Sequence, residues 1–242
     1  MSVSKTLNIA YNVTSSFVES IPKKERKKYG QFFTSQKTAE FMASLFTIDF
    51  SKPELRLLDA GAGTGLLTTA LVERLRNSGY KGHIYAVCYE NDPKVLPTLI
   101  ENLEFLKKNL KIKYEVRVDN YLTSQNFVCA DFFKKKAEQF DMIIGNPPYL
   151  RVQGLRENYE EEAKFYEQNY QSATGRFDFY VLFLEKGFTL LNKDGYLSFI
   201  CPHKFLNSDF GVGLRSFIYK NRALNFLTHF GSEQVFYSAS VY

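Results

Sequence analysis

Three stretches carry residue types whose spacing could do chemistry. In FDMIIGNPPYLR, residues 140–151, an apolar run stops at Asn146, Pro147, Pro148 and Tyr149. Two consecutive prolines fix φ, remove two backbone donors and push Asn146 out of the helical region, so the corner is stiff and turns carbonyl oxygens outward. Asn146 supplies a side-chain acceptor and Pro147 a backbone acceptor, a pair able to hold both hydrogens of one planar amino group. Tyr149 offers a flat face on which an aromatic ring stacks. A structural turn ending a strand would need only one proline and neither flanking residue.

The second stretch is LLDAGAGTG, residues 57–65. Gly61, Gly63 and Gly65 lie between a buried strand and a helix, where the lack of side chains lets backbone approach a nucleoside-bearing ligand at the sheet's carboxyl edge. The spacing is GxGxG, one residue short of the GxGxxG that cradles a pyrophosphate. Asp59 adds a carboxylate just ahead of the turn, which suits the cationic amino group of S-adenosylmethionine, a cofactor without phosphate. A tight turn holding no ligand is the alternative. The third is Glu90 in AVCYEND. At the end of the second strand its carboxylate can accept both ribose hydroxyl protons of a bound nucleoside; away from the glycine turn it would mean nothing.

The elements that position these residues follow from periodicity. Strands are expected at residues 55–60, 83–90, 111–118, 140–145, 195–202 and 223–230. Helices are expected at 4–20, 36–46, 66–76, 93–109, 177–191 and 214–219, with a polar, acidic segment after NPPY. Strands alternating with helices of these lengths imply crossovers and an α/β fold: a doubly wound, mainly parallel, Rossmann-like sheet. At 242 residues the chain suits one large domain.

Composition excludes some classes. With 45% hydrophobic and 24% charged residues and no apolar run of membrane-spanning length, a membrane partner is not expected, and the N-terminus lacks a secretory pattern, so a cytoplasmic location is. Cys88, Cys129 and Cys201 are far apart, with no CxxC spacing, and read as reduced thiols; His83, His203 and His229 are isolated, so no metal site is expected. The net charge of +5 suits a nucleic-acid partner without requiring one. Among the basic runs at 23–28, 107–113 and 134–136, only KKERKK at 23–28 is a candidate for phosphate contacts.

The order YGQFFT, DAGAGTG, YEND, IIGNPPYLR, FDFYVLFLEKGFTLL, DGYLSFICP and FGSEQVF closely resembles the N6-adenine DNA methyltransferases of restriction-modification systems, in their gamma arrangement. The likeness runs over residues 29–242. NPPY occurs also in protein-glutamine and RNA methyltransferases; GQFFT and the FDFYVLFLEKG segment are more specific. The resemblance implies transfer of methyl from S-adenosylmethionine to a flipped adenine in double-stranded DNA. It assigns Asn146, Pro147, Pro148 and Tyr149 to catalysis, with Phe236 as the second aromatic face for the base. It assigns Gln31, Phe33 and Thr34 to the methionine end of the cofactor, Asp59, Gly61 and Gly63 to the glycine motif, and Glu90 to the ribose. For the cofactor adenine it offers either Asn120, followed by Tyr121, or Asp131, followed by Phe132.

This divides the chain into an N-terminal helical and basic extension, 1–28, and a methyltransferase catalytic domain, 29–242. The latter is expected to be cut short in its last strand and to lack a target-recognition domain, which a separate target-recognition or restriction subunit would then supply. Asn146 and Pro147 would draw the adenine nitrogen toward tetrahedral geometry and stabilise its growing positive charge. No Pro-Cys nucleophile motif is present, against cytosine carbon-5 chemistry. Protein-glutamine or RNA methylation, or an inactive remnant, are the alternatives. The acidic patch of Glu157 and residues 160–162 is expected to face away from DNA.

Overall fold

The computed structural model describes residues 5–22, 33–124, 138–149, 160–175 and 177–231. Gln31, Cys129, Asp131, Glu157 and Phe236, with the basic runs at 23–28 and 134–136, lie outside them.

Strands β1 (Glu54–Ala60), β2 (His83–Tyr89), β3 (Lys113–Arg117), β4 (Phe140–Gly145) and β5 (Leu191–Phe199) form one sheet in the order β3-β2-β1-β4-β5. Every neighbouring pair is parallel. Helices α1 (Lys5–Ser20), α2 (Gln36–Ser44), α3 (Leu66–Asn77) and α4 (Leu96–Leu110) cover one face; α5 (Glu160–Asn169), α6 (Phe179–Thr189) and α7 (Val212–Asn221) cover the other. This is the doubly wound sheet expected from the alternation of elements. The strand order reverses between β1 and β4, and at such a point the connections leave in opposite directions and open a crevice at the carboxyl edge.

Alternation along β1 shows why the sheet is buried on both sides. Leu57 packs with Leu71, Leu75 and Leu99 of the first helical layer, and Leu58 with Tyr180 and Val181 of the second. Successive strand residues face opposite layers, and each fully buried leucine contributes roughly 1.5–3 kcal/mol. At the strands' amino ends, buried Asp141 accepts from the Arg56 amide at 2.8 Å and from Lys52 Nζ at 2.6 Å.

Two expectations are corrected. Residues 223–230 form no strand, and β5 pairs with β4 alone among the described residues. A strand needs a neighbour for its backbone groups; here Leu224, Phe226 and Leu227 are exposed while Phe230 sets its ring edge-on to Phe41 of α2, with centroids 5.8 Å apart. The acidic segment after NPPY contains α5, whose Ala163 and Tyr166, with Tyr170 just beyond its end, are buried on one helical face.

Helix α1 shares the core. Leu7 and Ala10 are buried with α3, the Leu7 amide donates to Glu73 at 2.6 Å, and the Thr14 and Thr64 hydroxyls hydrogen-bond at 2.8 Å.

Candidate functional site

The register of the sheet brings the three motifs together. Ala60 is level with Tyr89 and Asp59 with Ile144, so the glycine turn, Glu90 and Asn146 leave three adjacent strands at one height. They open onto a cleft of about 610 Å³, within the range of a pocket for a small ligand or cofactor.

All three glycines of the turn have φ between +55° and +81°, where a side chain is strained. A Cβ at Gly61 would point to Phe183 and the Asn146 carbonyl oxygen, 3.8 and 4.0 Å away, and one at Gly63 would face the Phe33 ring at 3.9 Å. The turn therefore presents bare backbone between two aromatic side chains. It is held from both ends: the Ala62 amide donates to the Tyr89 carbonyl at 2.8 Å, and Asn102 of α4 donates to the Thr64 carbonyl at 2.8 Å.

Two carboxyl groups flank this turn in different ways. Glu90 lines the cleft and accepts from the amides of Gly63 and Asp92 at 2.9 and 2.8 Å. Burial raises its pKa against those hydrogen bonds. Asp59 is buried beneath the turn, and its side chain is not among those lining the cleft. One oxygen accepts from the Thr68 amide and hydroxyl at 3.2 and 2.7 Å, which caps the first turn of α3 from outside the helix; the other has no hydrogen-bond partner among the described residues. Desolvation by burial raises its pKa to about 7, opposed by the Thr68 bonds and assisted by the charge of Glu90.

At the Asn-Pro-Pro-Tyr corner, Asn146 and Pro148 line the cleft and Pro147 is buried. The Asn146 amide donates to Thr34 Oγ1 at 3.1 Å, and its oxygen accepts from the Tyr149 hydroxyl at 2.8 Å. Tyr149 also reaches the Ile200 carbonyl, at 3.2 Å, just past β5. Thr34 thus ties the segment before α2 to the corner after β4. Gly145 enters the corner without a side chain because a Cβ there would lie 2.6 Å from the Phe199 ring and 3.1 Å from the Ala60 carbonyl.

Of the other residues singled out by sequence, Phe33, Thr34 and Asn120 line the cleft, as does Tyr121. The Asn120 oxygen accepts from the Leu122 amide at 2.9 Å and so shapes its own turn. Among the described residues no group of three or more metal-ligating side chains occurs, and no helix is long and apolar enough to cross a membrane.

The sequence profile of Eco57I restriction-modification methylases matches residues 65–236. The chain belongs to this family. It is 33% identical over 151 residues to the type II restriction enzyme and methyltransferase RM.Eco57I of Escherichia coli, covering 62% of this chain and 14% of that protein. It is 31% identical over 217 residues to the modification methylase CviBIII of Paramecium bursaria Chlorella virus NC1A, covering 88% and 48%. The chain spans less than half the length of these curated relatives. A type I restriction-modification methyltransferase subunit from Streptococcus thermophilus superposes with a TM-score of 0.56 at 18% identity, over 78% of this chain and 38% of that one. A class I S-adenosylmethionine-dependent methyltransferase structure from Listeria monocytogenes gives the same TM-score at 20% identity, over 78% and 52%. The fold is that of the class I S-adenosylmethionine-dependent methyltransferases.

In this Eco57I-family chain the cleft includes residues that the motifs did not point to. Thr14 comes from α1, Phe179 and Phe183 from α6, and Asp119 from the link between β3 and the turn that follows it. The helical spacing of Leu7, Ala10, Thr14 and Val18 marks a buried face, and Thr14 is the polar residue on it. No comparable signal separates Phe183 from the other apolar residues of α6.

Proposed function

We propose that the chain is the catalytic region of a DNA methyltransferase, which moves a methyl group from S-adenosylmethionine to the N6 amino group of adenine in duplex DNA. It would serve as the modification activity of a restriction-modification system. The observation that carries this is the adjacency of the bare glycine turn and the NPPY corner, with the Asn146 carbonyl 4.0 Å from the Cβ position of Gly61.

The residues fit the cofactor. The glycine turn offers backbone, the Glu90 carboxylate suits the ribose hydroxyls, and the wall of Asn120, Tyr121 and Leu122 suits the adenine. Asn120 follows β3 and lines the cleft, which supports it as the residue at the cofactor adenine, whereas Asp131 lies outside the described residues. Phe33 and Thr34 border the methionine end, with Gln31 preceding them. Asp59, buried beneath the turn, would act on the cofactor only through the turn, by holding Thr68 at the start of α3. When bound, the cofactor supplies an electrophilic methyl.

The chain's own part is to hold the nucleophile. The exocyclic nitrogen of adenine is poorly nucleophilic because its lone pair is delocalised. Asn146 Oδ1 and the Pro147 carbonyl would accept both amino hydrogens and stabilise the positive charge that grows on the nitrogen. The lost proton would leave along one of these hydrogen bonds to solvent. Pro148 keeps the corner rigid. Tyr149, fixed at its hydroxyl, would support one face of the flipped base, and Phe236 the other; extracting the base costs a few kcal/mol, roughly matched by such stacking. Duplex DNA, and a target-recognition or restriction subunit where it is a separate chain, are the expected partners.

The test is transfer of labelled methyl to unmethylated duplex DNA, followed by nucleoside analysis. N6-methyl-2'-deoxyadenosine is expected. Methyl on cytosine N4, or on release factor or ribosomal RNA instead of DNA, overturns the proposal.

A further inference from the structure

Helix α6 sends two side chains to the nucleobase wall of the cleft, three residues apart: Phe183, which lines it, and Lys186, which stands behind it. Lys186 is fully buried. A buried ammonium is costly unless acceptors surround it, and an apolar residue of similar volume would serve packing better. Three of its acceptors belong to one turn. Nζ donates to the Tyr121 carbonyl, to Ser124 Oγ at 2.9 Å and to the Ser124 carbonyl at 3.4 Å, and it lies 4.9 Å from the centre of the Tyr121 ring.

The rest of that turn is fastened as closely. Asn120 accepts from the amides of Leu122, Thr123 and Ser124, and the Tyr170 hydroxyl donates to the Leu122 carbonyl at 2.7 Å. The Tyr121 ring meets Tyr89 of β2 edge-on at 5.2 Å and Phe183 at 5.0 Å. Glu185, the neighbour of Lys186 on α6, is directed elsewhere, to the amides of Gln171 and Ser172 at 2.8 and 2.7 Å. One helix thus fixes the turn after β3 with one charge and the chain after α5 with the other.

We propose that Lys186 is a positioning residue for the nucleobase end of the cofactor, holding the 120–124 turn at the depth where Asn120 and Tyr121 form the wall of the cleft. The inference rests on the cleft being the cofactor site. Lys186 touches no ligand; it acts through the Tyr121 and Ser124 backbone. Burial lowers its pKa to about 7, which makes its side chain observable by titration. Titratable groups that frame the turn include Asp119, beside it in the chain, and the phenols of Tyr89, Tyr121, Tyr166 and Tyr170.

Calorimetric titration with S-adenosylhomocysteine tests this on the wild type, Lys186→Met and Lys186→Arg. Wild-type binding is the arm that tests the cofactor site itself; no binding there overturns that reading before any variant is compared. With binding established, Lys186→Met is expected to raise Kd by roughly tenfold or more, as for loss of a charged hydrogen-bond donor, at an unchanged number of sites per chain. Lys186→Arg, which keeps charge and donors, recovers most of that loss. A merely structural lysine gives fewer competent sites at the wild-type Kd, and that result overturns the proposal, as does a Lys186→Met variant that binds like the wild type. Should Lys186→Met fail to fold, the wild type alone decides. The Lys186 13Cε resonance is titrated against pH with and without S-adenosylhomocysteine. Reciprocal coupling requires the midpoint to move on binding, and a midpoint that stays in place overturns the proposal.

Discussion

Glu90 accepts the Gly63 amide at 2.9 Å and the Asp92 amide at 2.8 Å, so one carboxylate joins the end of β2 to the glycine turn that follows β1. The geometry leaves the group anchored rather than free to swing, which is what a fixed acceptor for two vicinal hydroxyls requires. Glu90→Gln replaces a charged acceptor by a neutral one and is expected to weaken S-adenosylmethionine binding by roughly 10- to 100-fold. Calorimetry at neutral pH measures it. Because burial raises the Glu90 pKa, its carboxylate is lost at higher pH than usual on acidification, and wild-type affinity should fall with pH while that of Glu90→Gln does not follow. Equal affinities for the two proteins would remove Glu90 from the site.

Asp59 predicts a dependence of stability on pH. Its folded pKa is raised to about 7, above that of the unfolded chain. Folding therefore favours the protonated form: the contribution is fully present below about pH 4 and is lost as pH rises through about 7, for a total on the order of 4 kcal/mol. Asp59→Asn cannot titrate. Urea unfolding of both proteins across this range should show the variant gaining on the wild type as pH rises, with the difference flat above about pH 8. Two parallel curves would mean that Asp59 keeps an ordinary pKa.

Tyr149→Phe keeps the ring and removes the hydroxyl that fixes it to Asn146 and Ile200. The corner then loses a hydrogen bond on Asn146 Oδ1 but none of its links to the glycine turn. Methyl transfer should drop by roughly 10- to 100-fold in kcat, with cofactor Kd unchanged within about twofold. Single-turnover rates and calorimetry separate the two effects. A variant that loses cofactor affinity and keeps kcat would place Tyr149 at the wrong end of the cleft.

Gly65 and Gly79 form a controlled pair. Both have positive φ, +81° and +91°, but a Cβ at Gly65 would lie 2.9 Å from Leu99 Cδ1, whereas at Gly79 nothing lies within 4 Å. Alanine at Gly79 should cost only backbone strain, about 1–2 kcal/mol. Alanine at Gly65 adds displacement of a fully buried leucine, about 1–3 kcal/mol more. Denaturant midpoints decide it, and equal losses would show that Leu99 yields without cost.

Much of the fold was legible because it depends on local rules. Alternating strands and helices implied a parallel sheet, glycines at 61, 63 and 65 mark positive φ that other residues adopt only with strain, and prolines at 147 and 148 mark a stiff corner short of backbone donors. Residues 223–230 misled because their apolar content resembles a strand, while strand formation depends on a neighbour that no local pattern reveals. Helix α5 hid behind its glutamates, although Ala163, Tyr166 and Tyr170 fall at helical spacing. Asp59 was legible as a residue of interest but not as a helix cap, since its bonds to Thr68 depend on how tightly the turn folds back. The joining of Thr34 to Asn146, and of Lys186 to the turn after β3, spans 112 and about 65 residues of chain; separations of that kind leave no trace in periodicity.

The hydroxyl pair of Thr14 and Thr64 has a consequence for how the protein is made. Helix α1 is synthesised before α3, and the partners of its Leu7 amide and Thr14 hydroxyl follow 66 and 50 residues later in the chain. A nascent chain leaving the ribosome must therefore carry the part of the α1 face that α3 covers past the first strand. Translation tempo between α1 and α3 then bears on the yield of folded protein, because closing that span early spares the helix from non-native associations.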